Sequence, residues 1–123
     1  MISSTKHRNP HRGEVWLVRF EPSIGAEIQK TRPAVVIDLE EIGRLPLRIV
    51  VPITDWKEIY SNYVWFVYVS PSATNGLTKD SGADAFQVKS LATERFAQQI
   101  GRLSDEEVNE IAIAVALCIG VGV

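Results

Sequence analysis

Reactive side chains are scarce in this 123-residue chain, which holds one cysteine, Cys118, and two histidines, His7 and His11. A single thiol excludes an intramolecular disulfide, a zinc ribbon and a Cys-X-X-Cys redox pair, and it suits a reducing cytosol. Both histidines fall in a basic, polar opening stretch with no apolar segment of the secretory-signal kind. Residues 1–11 are expected to form a flexible tail ahead of a single domain at 12–123, so a two-histidine nuclease mechanism would rest on unsupported side chains. No apolar run reaches the ~18 residues of a membrane span; the longest is Ile111–Ile119. The chain has no glycine-rich phosphate loop and no His-Glu-X-X-His, and its acidic residues are scattered rather than clustered as a metal site needs. The expectation is a cytoplasmic protein with no metal and no cofactor. Any hydrolysis it performs would use neither metal, histidine nor cysteine.

What is present fits one globular domain, with 46% apolar and 23% charged residues. The net charge of −2 argues against bulk electrostatic binding of nucleic acid, but it is unevenly spread. Residues 1–48 carry eight Lys/Arg against six Asp/Glu, and the remainder five against nine. The basic half includes Lys6, Arg8, Arg12, Arg19, Lys30 and Arg32. Either a local positive face or a mixed solvated surface accounts for this.

Turn chemistry divides the chain into short strands. Glu14–Phe20 is rich in β-branched and aromatic residues and partly alternates. Ala34–Leu39 and Arg48–Thr54 are continuous apolar runs, expected to be strands buried on both faces. Tyr63–Ser70 is another dense strand, Pro71–Asp84 reads as loop, and Ala85–Leu91 and Ala97–Leu103 are weaker strands. Ser104 with Glu107 forms a capping box, Leu103 and Val108 a hydrophobic staple, and Val108, Ile111, Ala112, Val115 and Ile119 recur at helical spacing. From Ile111 the helix is apolar nearly all round, as it would be if covered from two sides, within one subunit or in a dimer. The pattern predicts a mainly β domain, a small antiparallel barrel with one long C-terminal helix. An architecture of that kind does not announce an activity.

Two residues stand out chemically. Arg32 precedes Pro33, which biases it toward an extended backbone at the start of a buried strand. Its fork suits a phosphate, and equally a rim ion pair with a carboxylate such as Glu27. Thr54 ends a strand where the apolar run gives way to Asp55, so its hydroxyl either satisfies a turn or is held for chemistry.

The ordered set of segments resembles the MazF/PemK family of toxin endoribonucleases. The similarity runs through R-G-E-V-W-L-V at Arg12–Val18, the Pro22…Gly25-X-Glu27 loop and T-R-P-A-V-V-I at Thr31–Ile37. It continues through V-V-P-I-T at Val50–Thr54, N-G-L at Asn75–Leu77, F-Q-V-K-S-L at Phe86–Leu91 and G-R-L-S at Gly101–Ser104. The resemblance implies an SH3-like barrel, a homodimer, a cognate antitoxin and metal-independent cleavage of single-stranded RNA. Attack by the ribose 2′-hydroxyl would leave a 2′,3′-cyclic phosphate and a 5′-hydroxyl. By the same resemblance Arg32 and Thr54 are the catalytic pair, and Glu27 is a third catalytic candidate. Gln87 is expected to contact RNA, with Lys30, Gln29, Phe86 and Lys89 beside it. A gyrase-poisoning toxin on the same fold, or a member that binds without cutting, are the alternatives.

The chain departs from the family pattern at Ala26, often serine or histidine, at Phe86, commonly acidic, and at Arg19, often aspartate or small. Routes through a histidine at 26 or an acid at 86 are therefore closed. Phe86 offers either a stacking surface for an unpaired base or a core side chain.

Overall fold

Alternation along the strands divides their side chains between two cores. In the computed structural model, which describes residues 8–42 and 45–122, strands β1 (Glu14–Arg19), β2 (Thr31–Val36) and β3 (Leu47–Asp55) pair antiparallel in sequence order. Val15, Val35, Ile37, Val51 and Ile53 face one cluster, together with Leu103 and the helix residues Val108 and Ile111. Trp16, Val18, Phe20, Ala34, Val36 and Val50 face the other, closed by Phe96. Successive residues thus enter opposite cores, which is why β2 and β3 read as unbroken apolar runs. Burying one such side chain contributes roughly 1.5–3 kcal/mol, so these three strands carry much of the fold.

β3 is the hub. Its first half pairs with β6 (Lys89–Ala92) and its last three residues with β5 (Ser81–Asp84), while β2 lies along its other edge. β4 (Phe66–Val69) pairs with β5, and β7 (Phe96–Arg102) pairs with β1. The seven strands form one antiparallel sheet that runs from β4 to β7 without closing, so the expected barrel is an open sheet.

Four expected boundaries shift, the first being the strand expected at Ala34–Leu39, which is found as β2 at Thr31–Val36. The dense aromatic stretch at Tyr63–Ser70 yields only the short β4, because Tyr63 N–H donates to Tyr60 O and Phe66 N–H to Tyr63 O, closing turns before it. Its rings stack on one another, Tyr60 on Phe66 with centroids 3.8 Å apart and Tyr63 on Trp65 at 4.7 Å. Within the expected loop Pro71–Asp84, Ser81–Asp84 is a buried strand. Gly82 is there for space, since a Cβ would sit 3.0 Å from both Phe66 and Trp56. The weak strand expected at Ala85–Leu91 is split by a 3-10 turn at Ala85–Gln87.

Helix α1 (Asp105–Cys118) starts as its sequence indicates: Ser104 Oγ accepts from Glu107 N at 3.1 Å, and Glu107 Oε1 accepts from Ser104 N at 2.9 Å. Its inner face buries Val108, Ile111 and Ala114, while Ile113, Leu117 and Ile119 are exposed within this chain. No helix among the described residues is long and apolar enough to cross a membrane. Ahead of β1, Arg48 donates to Pro10 O at 2.8 Å and Asn9 Oδ1 at 2.7 Å, and His11 Nδ1 lies 2.9 Å from Glu40 Oε2. The last residues of the expected tail are therefore tied to the sheet; His7 lies outside the described residues.

Candidate active site

Pro33 determines where β2 and β3 part, and Pro52 marks where the other edge of β3 changes partner. Ile49 turns its backbone toward β2, accepting from Ile37 N at 2.9 Å and donating to Asp38 Oδ1 at 2.9 Å. Alternation by two then points the missing N–H of Pro52 at the opposite edge of β3, where its partner changes from β6 to β5. In β2 the groups of Lys30 and Val36 face β1, accepting from Phe20 N and Gly13 N, so the missing donor of Pro33 faces β3. The β2–β3 register accordingly stops at Ala34 opposite Pro52. Extended two residues further, it places Arg32 opposite Thr54, on the same face and past the last paired residues.

A cavity of about 310 Å³ opens at this point, lined by Leu17, Arg32, Pro33, Ile53, Thr54 and Asp55 and by residues of the segment Gly76–Ser81. Arg32 is half-buried, donates Nε–H to Gln29 O at 3.3 Å, and joins no ion pair among the described residues. The rim salt bridge to Glu27 is not formed. Thr54 is paired with Gly82, which has no side chain to crowd it, and its hydroxyl has no hydrogen-bond partner among the described residues. It is not consumed in satisfying a turn.

The loop that supplies the far wall of the cavity is folded by Asn75, 1% exposed, whose Nδ2 donates to Ser70 O at 2.9 Å. Its Oδ1 accepts from Ser72 N at 3.1 Å and Leu77 N at 3.0 Å. Gly76 follows with φ +73, a left-handed conformation, and a Cβ there would lie 2.1 Å from Ile100 O. The N-G-L segment is thus a rigid wall pinned against β7. Sequence reasoning missed two charged residues of this cavity, Asp55 and Lys79, which pair at 3.2 Å. Their only sequence signal is position, one directly after Thr54 and the other within the loop expected at Pro71–Asp84.

Four of the remaining candidates, Glu27, Phe86, Gln87 and Lys89, line a second groove of about 360 Å³, between Ala26–Glu27 and Phe86–Lys89. Glu27 Oε1 accepts from Ile24 N at 2.8 Å, within its own loop. Gln87 spans the groove: Oε1 accepts from Ile28 N at 2.6 Å and Nε2 donates to Ala26 O at 3.3 Å. Gln29 and Lys30 line neither cavity; they are exposed on the segment leading into β2, with Lys30 at φ 66. So the structure brings Arg32 and Thr54 together, and separately gathers Glu27, Phe86, Gln87 and Lys89.

The turn bearing Phe86 and Gln87 is capped by Asp84, whose Oδ1 accepts from Phe86 N at 3.2 Å. Burial raises the Asp84 carboxyl above the ordinary aspartate range, against the lowering effect of bonds from Phe86 and Gln87. Burial and the Asp84 charge also raise the Cys118 thiol, which disfavours a thiolate nucleophile.

Residues 11–119 match the sequence model of the family described as PemK-like, MazF-like toxin of type II toxin-antitoxin system. The chain is similar to Endoribonuclease MazF9 of Mycobacterium tuberculosis, 37% identical over 112 residues, covering 86% of this chain and 92% of that relative. Among solved structures, MazF from Deinococcus radiodurans superposes with a TM-score of 0.75 at 21% identity, over 93% of this chain and 99% of that one. An endoribonuclease in complex with its cognate antitoxin, from a mycobacterial species, gives a TM-score of 0.72 at 18% identity, over 94% and 99%. The solved structures, at these identities, bear on the fold.

Asp84 generates a pH prediction. Its folded-state pKa lies above the unfolded value, so the favourable contribution holds below the ordinary aspartate pKa and is lost as pH rises through the folded one. Asp84→Asn should therefore raise the melting temperature near neutral pH. The gain should vanish below about pH 4, where the native carboxyl is protonated in both states. Thermal melts of both proteins across pH 3–8 check this; equal melting temperatures at pH 7 would contradict it.

Proposed function

The chain belongs to the PemK-like, MazF-like family of type II toxin–antitoxin toxins, a family of endoribonucleases, and on that footing we propose that its Arg32–Thr54 cavity cleaves single-stranded RNA without a metal ion. The observation that carries this reading is that one cavity is lined by both Arg32, in no ion pair among the described residues, and Thr54, whose hydroxyl has no hydrogen-bond partner among them. In the reaction the ribose 2′-oxygen bonds to the adjacent phosphorus and the bond from phosphorus to the 5′-oxygen breaks. A 2′,3′-cyclic phosphate and a 5′-hydroxyl result, with the 2′-hydroxyl proton lost and one proton gained by the leaving oxygen.

Arg32 stabilises the charge that builds on the non-bridging oxygens, an effect worth ~3 kcal/mol per well-placed donor. Its guanidinium keeps its protons and so serves as an electrostatic clamp, not as the base. Thr54 donates to a phosphate oxygen or orients the 2′-hydroxyl. Lys79, in the same cavity, adds a second cation for the backbone phosphates. For Glu27 to take the 2′-hydroxyl proton, its loop must release the Ile24 amide and carry the carboxylate to the cavity. The segment Glu21–Lys30 is thus the part that moves in this account. Around the groove, Phe86, Lys89, Gln29 and Lys30 are the residues proposed to contact RNA, and Gln87 to hold the loop beside them.

The same reading places the protein in the cytoplasm, inhibited by a protein antitoxin whose acidic segment competes for the cations of the cavity. It also makes the protein a homodimer. Val64, Tyr68, Ile113 and Leu117 line an open apolar groove of about 470 Å³ between β4 and α1, a face one subunit leaves uncovered.

Two measurements test these statements. Purified protein with EDTA should cut a long single-stranded RNA into discrete fragments with 5′-hydroxyl ends, and Arg32→Ala of matched circular dichroism should be slower by at least a hundredfold. Intact RNA with the wild type, or equal rates, would contradict the cleavage mechanism. Sedimentation should show a dimer at micromolar concentration that Ile113→Asp shifts to monomer; a monomeric wild type at that concentration would contradict the homodimer.

A further inference from the structure

Phe86 is 68% exposed, so it is not a core side chain, yet nothing about it is loose. Its amide is held by Asp84 Oδ1 at 3.2 Å, and the turn is closed by Val88 N–H donating to Ala85 O at 3.3 Å. Ala85 N–H donates in turn to Trp65 O at 3.0 Å, which ties the turn to the residue just ahead of β4. The ring leans on Trp65, centroids 5.9 Å apart, and Trp65 stacks on Tyr63 at 4.7 Å with planes 4° apart. An apolar ring displayed to solvent on such a backing is preorganised for a flat partner.

The groove beside it, about 360 Å³, has Ala26 and Glu27 as its opposite wall and Lys89 at its end. Gln87, by contrast, is already committed: its amide oxygen and nitrogen are both bonded to the backbone of the loop, at Ile28 and Ala26. We infer that Phe86 is the specificity-determining residue of this chain, stacking one unpaired nucleobase of the RNA in this groove. Gln87 is then a positioning residue that holds the loop as the facing wall. A base and its neighbouring phosphate match what the groove offers, an aromatic face and a lysine. This inference rests on the RNA-cleavage reading above.

The test is to sequence the fragment ends of one long RNA cut by the wild type, Phe86→Ala, Phe86→Tyr and Gln87→Ala. Wild-type sites should share a fixed base at a position flanking the cut. Phe86→Ala should lower kcat/KM at those sites tenfold or more and flatten the preference at that one position, and Phe86→Tyr should restore both. Gln87→Ala should speed hydrogen exchange at the Ile28 amide while leaving the preferred base unchanged. Unaltered kcat/KM and site profile in Phe86→Ala would overturn the proposal, and so would a changed base preference in Gln87→Ala with none in Phe86→Ala. A wild type that cuts no RNA defeats the nuclease reading alone. The groove is then decided by binding of a fully 2′-O-methylated RNA oligonucleotide pool: tenfold weaker binding by Phe86→Ala upholds it, and equal binding overturns it.

Discussion

Where the β2–β3 ladder stops, the rest of the molecule follows. Pro33 removes the donor that would continue the pairing toward β3, and Pro52 removes one on the opposite edge of β3, between β6 and β5. In the paired stretch, Ala34, Val35 and Val36 of β2 and Val50 and Val51 of β3 are fully buried on two core faces. Beyond them the same two strands present Arg32 and Thr54 with no ladder between. A rigid, doubly buried sheet therefore ends at the place where polar side chains must be held in fixed positions. Catalysis by placed charge needs that rigidity, because a donor set even slightly out of position loses most of its effect.

The surrounding elements each secure one wall. Asn75 folds the Ser70–Leu77 loop onto itself and Gly76 lets it press against Ile100, closing the side of the cavity nearest β7. Gln87 clips the Glu21–Lys30 segment through its backbone, and Asp84 holds the turn that carries Gln87. Such clips are made of single hydrogen bonds, each contributing about 1 kcal/mol. The core strands are held by far more. Loop mobility in an otherwise stiff scaffold is the expected result, and it suits a site that must admit a long polymer and release its pieces.

Much of this was legible in the residues themselves. Continuous apolar runs marked β2 and β3, and Ser104 with Glu107 marked the start of α1, because those signals are local and few structures satisfy them. Arg32 before Pro33 and Thr54 at a strand end could be named from the sequence, but their juxtaposition could not. It depends on a register shared by residues more than twenty apart. Ser81–Asp84 read as a turn because Ser-Gly is turn chemistry, whereas Gly82 is there to make room for Phe66 and Trp56. Asp55 and Lys79 carried no pattern, since an exposed ion pair leaves no periodic trace. The barrel expected from strand count is an open sheet, because closure is a property of edges that strand patterns do not encode.

The claim at the centre of this account is that Arg32 and Thr54 act on one phosphate as a unit. Single-turnover cleavage of a defined RNA in EDTA, by Arg32→Ala, Thr54→Ala and the double variant, measures this directly. The account predicts that each single change slows the reaction by a hundredfold or more, and that the double variant is no more than about tenfold slower than the worse single one. Losses that multiply in the double variant, or a single variant that cuts at the wild-type rate, would show that the two side chains do not share the reacting phosphate.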